Sequence, residues 1–191
     1  TEEFAMPPGI SFHFEAGQAY TIEGHFLNAS TQPVSGSAEL ILTPTVPGSA
    51  TIPADLLFLS ATTPLLTKSY DGQKPGLPPA ISGVPTETTT DPIFYSLSDS
   101  LASSKFFALT SHQHQLGTGF VITKSTSAQD PGTPLYQNSD WEHPPLLRFP
   151  DEAPLTFGFN EGFRWICTYK NTTSRYVTFG QSATTNEMCI L

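Results

Sequence analysis

Proline and glycine interrupt this chain so often, 18 and 14 times in 191 residues, that no segment keeps a 3.6-residue apolar period for three turns. A ring that lacks the backbone N–H and a residue without a Cβ both break helical ladders, so what survives between them is short apolar runs. That rhythm predicts strands. The 14 Phe and an aromatic share of 12%, against only 13% charged residues, point the same way, because aromatic side chains suit pleated surfaces and few charges remain to coat exposed helices. The expected fold is all-β, an antiparallel β-sandwich of jelly-roll-like form. The length suffices for one large β domain or two closely joined lobes.

Residues 10–14 and 19–27 flank Glu15-Ala16-Gly17-Gln18, which predicts a hairpin with glycine at its turn. A third strand is expected over 37–42. Pro44-Thr45-Val46-Pro47-Gly48-Ser49 then stops ladder pairing and marks a boundary, dividing the chain into 1–48 and 49–191. Beyond it, strands are expected at 56–59, 93–97, 106–114, 119–123, 146–149, 163–169 and 176–179. Residues 71–92, rich in Pro, Gly and Thr, predict a long loop with one short strand, and no internal repeat is found.

The formal charge of −9, with 8 Lys plus Arg, offers no basic stripe to neutralise a phosphate backbone, so nucleic acid is not an expected partner. No run of about 18 apolar residues would span a membrane. The opening Thr1-Glu2-Glu3-Phe4 has neither the basic segment nor the apolar stretch of a signal peptide, and the expectation is a soluble, mature or trimmed chain. Cys167 lies in the aromatic run Phe163-Arg164-Trp165-Ile166-Cys167, and Cys189 in the last apolar stretch. A bridge between them would join two late β segments and stabilise the fold by roughly 3 kcal/mol in the chain-entropy model. Two cysteines by themselves leave the redox compartment open.

The chemistry-bearing residues are few. In His112-Gln113-His114, strand alternation points both imidazoles the same way, about 6–7 Å apart. Neutral imidazole suits Cu, Zn, Fe and Ni alike, so the pair does not choose a metal. Of the two methionines, Met6 and Met188, the second sits in Glu187-Met188-Cys189, and its thioether is a soft ligand that favours Cu(I). A lone Met is ordinarily core filler and a His-x-His ordinarily a surface pair, so only the combination is informative.

In that combination the sequence resembles a family. Ser111-His112-Gln113-His114, Asp140-Trp141-Glu142-His143-Pro144-Pro145, Cys167-Thr168-Tyr169 with Asn171-Thr172-Thr173, Phe179-Gly180 and Glu187-Met188-Cys189-Ile190 follow the order of the second, catalytic lobe of the copper type II, ascorbate-dependent monooxygenases. These are the peptidylglycine α-hydroxylating and dopamine β-monooxygenases and their bacterial relatives. The resemblance covers residue 50 to the end. It implies one copper ion per chain on His112, His114 and Met188, a disulfide between Cys167 and Cys189, and a secreted or periplasmic protein. It further implies hydroxylation of a C–H bond of a small organic substrate by O2, with electrons from ascorbate or another reductant.

Residues 1–48, through Met6-Pro7-Pro8-Gly9 and Ile22-Glu23-Gly24-His25-Phe26-Leu27-Asn28, resemble the closing strands of the family's first lobe. By that resemblance His25 is one ligand of a second, electron-supplying copper. Its two partners come from a His-His pair, which these 191 residues lack, so a preceding lobe or an outside donor is implied. Peptide-hydroxylating members carry an Arg two residues before the His-x-His, and an Asn and a Tyr just after the Met-Cys, that grip a substrate carboxylate, where this sequence has Thr110 and Ile190. A peptidyl-glycine substrate is therefore not implied. The alternative is a non-catalytic secreted module with the same fold that binds copper or a partner.

The other candidates have plainer readings. His143, followed by two prolines, is expected in a rigid turn in which it packs with Trp141, and His13 beside the hairpin or in solvent. Asn28-Ala29-Ser30 and Asn171-Thr172-Thr173 match glycan acceptor triplets. Ser111 and His112 are strand neighbours on opposite faces, which rules out a hydrolase pair.

Overall fold

A computed structural model describes residues 5–22, 28, 30–46, 49, 51–61, 75–97 and 101–191. These form two compact units, Thr1–Leu56 and Leu57–Leu191. The described residues contain strands and no helix, so none is long and apolar enough to cross a membrane.

In the first unit the expected turn forms, but the expected hairpin ladder does not. Gly17 adopts φ 83°, and the Gln18 N–H donates to the Glu15 carbonyl. Phe14 and Tyr20 meet edge-on across that turn at 5.0 Å. The hydrogen bonds of β1 (Ile10–Phe12) nonetheless go to β2 (Ile52–Ala54), in parallel and in register Ile10 to Ile52. Residues 19–22, the described part of the second limb, form no strand, nor do 37–42. Leu40, Ile41 and Leu42 are all exposed there. A ladder needs an apolar face to bury, and no described residue of this unit is buried. The return of residues 52–54 to β1 also carries the first unit past the Pro44–Ser49 stretch to Leu56.

The second unit is built on an antiparallel sheet with order β3 (Thr86–Thr89), β9 (Gly162–Asn171), β6 (Gly117–Ser125), β7 (Thr133–Asn138), with β4 (Ile93–Ser96) also on β9. β3 and β4 pair with successive halves of β9, Thr89 opposite Thr168 and Ile93 opposite Trp165. They amount to one edge broken at Pro92, which cannot donate to a ladder. At the break Thr90 keeps β9 satisfied: its N–H donates to the Cys167 carbonyl and its Oγ1 accepts the Cys167 N–H. Alternation along β9 buries Phe163, Trp165, Cys167, Tyr169 and Asn171, and β6 adds Phe120 and Ile122.

β7 was not expected from the sequence, because Pro134 argues against a strand. It is tolerated where the register shifts between Ile122 and Thr123, a bulge at the sheet edge. Shorter pairings run elsewhere in this unit: β5 (Ala108–Leu109) with β8 (Leu147–Arg148), Phe106 with Leu155, Leu77 with Val177, and Ile190 with both Ser60 and His112. The core they share with the sheet is compatible with a sandwich.

One buried amide helps to tie down the loop before β3, beside the Leu77–Val177 pairing. Asn171, buried at the end of β9, donates from Nδ2 toward the carbonyls of Pro78 (2.7 Å), Arg175 (3.0 Å) and Leu77 (3.3 Å). Its Oδ1 accepts the N–H and hydroxyl of Thr173. In the folded chain this nitrogen is a structural donor. Asn171→Asp, which keeps the acceptor and sets a carboxylate against carbonyl oxygens, is expected to destabilise the fold by at least ~2 kcal/mol in urea unfolding. A loss under ~0.5 kcal/mol would mean the tie carries little, as for an ordinary surface substitution.

Candidate metal site

The chain leaves β5 toward the His-x-His with its polar groups already committed. Buried Ser111 lies 3.1 Å from Tyr136 Oη and accepts from Asn138 Nδ2, while Tyr136 Oη and Thr110 Oγ1 both donate to the Pro145 carbonyl. His112 and Ile190 then exchange both backbone hydrogen bonds, at 2.8 and 3.0 Å. After His114 the chain turns, Gly117 N–H to the His114 carbonyl. The turn wraps around the buried Gln113, whose Nε2 donates to the Thr168 carbonyl.

The two imidazoles stand edge to face, with centroids 5.2 Å apart and planes at 87°. His112 is half-buried and His114 fully buried. Nδ1 of His114 faces the Asn186 carbonyl at 2.9 Å. A carbonyl can only accept, so Nδ1 carries the proton and the lone pair sits on Nε2, the pattern by which outer partners set a ligating histidine. For imidazole–metal bonds of about 2.0–2.1 Å the ion would lie roughly 3.1 Å from each centroid, and centroids 5.2 Å apart then correspond to an angle of roughly 110° at a shared ion. That separation is compatible with tetrahedral coordination.

Met188 lies two residues before Ile190, whose backbone pairs with His112. Ile190 lies opposite His112, and alternation returns Met188 to the face of Ile190. Met188 and Ile190 are half-buried, with buried Cys189 between them on the other face. Cys167 and Cys189 form a disulfide, Cα atoms 6.1 Å apart, and no described cysteine is free. It fastens β9 to the closing segment one residue from Met188. From β9, too, the Tyr169 hydroxyl donates to the Met188 carbonyl at 2.8 Å.

Glu187 is the residue that sequence reasoning passed over. It is fully buried, and its Oε2 accepts the His114 N–H at 2.9 Å and Oε1 the Leu116 N–H at 2.8 Å. Burial pushes its carboxyl up to about 7, while the N–H groups of Leu116, His114 and Met188 pull the other way. An acidic residue inside an apolar closing stretch was the available signal. Its role was hidden because sequence does not reveal burial.

His25 lies outside the described residues. His143 is exposed, with Nδ1 3.6 Å from Asp140. Asp140 accepts its backbone N–H, which chiefly holds that carboxyl below the usual range; the chain turns here as expected, but the His143 side chain lies in solvent instead of packing. His13 is exposed and pairs with Glu15 at 3.1 Å. Among the described residues no group of three or more His, Cys, Asp or Glu side chains is arranged to hold a metal. A scan against protein-family models and a search of the curated proteins return no match for this chain.

Gly117 tests how tightly the turn is made. A Cβ there would lie 2.7 Å from Gln113 Cβ, whereas one at Gly119 would meet Thr168 at 3.3 Å. Gly117→Ala is expected to cost ~1–3 kcal/mol in denaturant unfolding and Gly119→Ala clearly less. Equal costs would show that Gln113 moves aside freely.

Proposed function

We propose that this chain is the copper-binding domain of a monooxygenase that hydroxylates a C–H bond of a small organic substrate, with O2 and ascorbate or another reductant. The metal is held by His112, His114 and Met188. The observation that carries the reading is the imidazole pair, at a separation suited to one ion and with the His114 lone pair directed to Nε2 by the Asn186 carbonyl. The order of the His-x-His, cysteine and Glu-Met-Cys motifs supports the family.

Copper bound there would supply one-electron chemistry toward O2, and two imidazoles with one thioether leave a position for it. The chain's own part is to hold that geometry. His114 is oriented from behind by Asn186, and the Met188 segment is pinned by the disulfide and by Tyr169. A secreted or periplasmic location belongs to the same proposal, since the disulfide is stable in such compartments.

The absence of a His-His pair from the sequence favours, as a second reading, a module that binds copper without turning over alone. Copper, ascorbate and candidate substrates supplied to the isolated chain separate the two. Little or no reductant-coupled oxygen use is expected, since an electron-supplying site would need a further lobe. Robust turnover with product matching oxygen consumed would show that one copper suffices.

Ligand softness makes the sharper test. Cu(I) gains from sulfur and Zn(II) gains little, so Met188→Ala is expected to weaken Cu(I) binding and leave Zn(II) nearly unchanged. His112→Ala or His114→Ala is expected to damage both, with the disulfide verified in every variant. X-ray absorption on the Cu(I)-loaded protein reads the shell directly: nitrogen without sulfur, unchanged in Met188→Ala, would falsify the ligand set.

A further inference from the structure

The antiparallel pairing of the His-x-His segment with the closing segment is a single bridge, His112 with Ile190, that goes no further toward His114 and Met188. His112 and Ile190 exchange both backbone hydrogen bonds, so the next such pair in the ladder would be His114 with Met188. That pair is not made. The His114 N–H goes to Glu187 Oε2, the His114 carbonyl accepts from Gly117, and the Met188 carbonyl accepts from Tyr169 Oη. Where the ladder ends, a side-chain carboxylate replaces it, and its second oxygen takes the Leu116 N–H beyond the turn.

We propose that Glu187 is a positioning residue that sets the metal preference of the site, by fixing the His114 turn to the segment that bears Met188. The proposal rests on the copper reading above. Glu187 is itself fixed in the backbone: its N–H donates to the Thr178 carbonyl and its carbonyl accepts from Gly180. Its neighbour Asn186 acts on the same histidine, through the carbonyl at His114 Nδ1, and its other neighbour, Met188, carries the proposed thioether. Three consecutive residues thus supply an orienter, a clamp and a ligand. Without the clamp, the Ile190 pairing, the disulfide and Tyr169 still hold the closing segment, but the His114 turn loses its own tie to it, so the thioether is no longer fixed relative to His114.

The consequence is selective. In Glu187→Gln and Glu187→Ala, Cu(I) affinity is expected to fall about 10–100-fold, as when an outer partner of a ligand is lost, with Zn(II) affinity changed by less than about threefold. Cu(I) affinity is measured by competition with a chromophoric chelator, Zn(II) by calorimetry, and the copper shell by X-ray absorption. Loss of the sulfur neighbour in the variants, with nitrogen retained, supports the proposal. Variants that keep sulfur and affinity overturn it, and so does an equal loss of both metals, which would make Glu187 a residue of the fold alone. A wild-type shell without sulfur is a different failure: it removes the copper reading and the proposal with it.

If the variants do not fold, amide hydrogen exchange of the wild-type protein decides. The clamp requires the His114 and Leu116 amides to be protected before metal is added and no less so afterwards. Rapid exchange at both positions in the metal-free protein overturns the proposal.

Discussion

The second unit is organised by what β9 buries. Five alternate side chains of this strand face the interior, and each is committed to a different part of the molecule. Phe163 packs among Phe106 and Phe157, Cys167 holds Cys189, Tyr169 holds the Met188 carbonyl, and Asn171 holds the loop before β3. Trp165 lies between them, opposite Ile122 of β6. The closing segment, residues 188–190, is thereby fastened through side chains of β9 as well as by the backbone pairing of Ile190. A shift of β9 by one residue would turn all five outward at once, so the candidate site inherits its register from this strand.

Within that frame the site joins two opposed demands. Ligands need a polar, open position, whereas the interior behind them must be dry and satisfied. The molecule meets both by graded burial: His112 and Met188 are half-buried, while His114, Gln113 and Glu187 are closed off. A buried carboxylate is costly, and burial does raise the Glu187 carboxyl, yet the N–H groups directed at it offset part of that cost. The neighbouring Arg175 steadies the approach from outside, donating to the carbonyls of Thr184 and Thr185 just before Asn186.

Much of the second unit was legible from composition and alternation. The run from Phe163 to Tyr169 has the bulk and the period of a buried strand, and the strand at 119–123 also stood out. The first unit was legible only at its turn, where Gly17 decides the backbone locally; its pairing was not, because the partner of Ile10 lies some forty residues away. β7 stayed hidden behind Pro134, since a bulge that makes proline acceptable is a property of two strands together. In the site, the closeness of the two imidazoles follows from their spacing, but not the strand expected to carry them, since residues 112–114 lie outside β5 and β6 and Gln113 and His114 are both buried. Nor do the carbonyl behind His114 and the carboxylate beneath its N–H follow from spacing, because they arise where separate segments meet.

The amide of Asn171 has a further consequence, in covalent chemistry. Asn171-Thr172-Thr173 has the form of a glycan acceptor, yet the nitrogen that would carry the sugar already donates toward three carbonyls. A sugar linked there replaces one of its two protons and needs room that a fully packed strand end does not provide. Modification and native packing therefore exclude one another at this residue. In a cell that attaches glycans while chains are being made, the order of the two events would decide which molecules ever close the loop at Pro78.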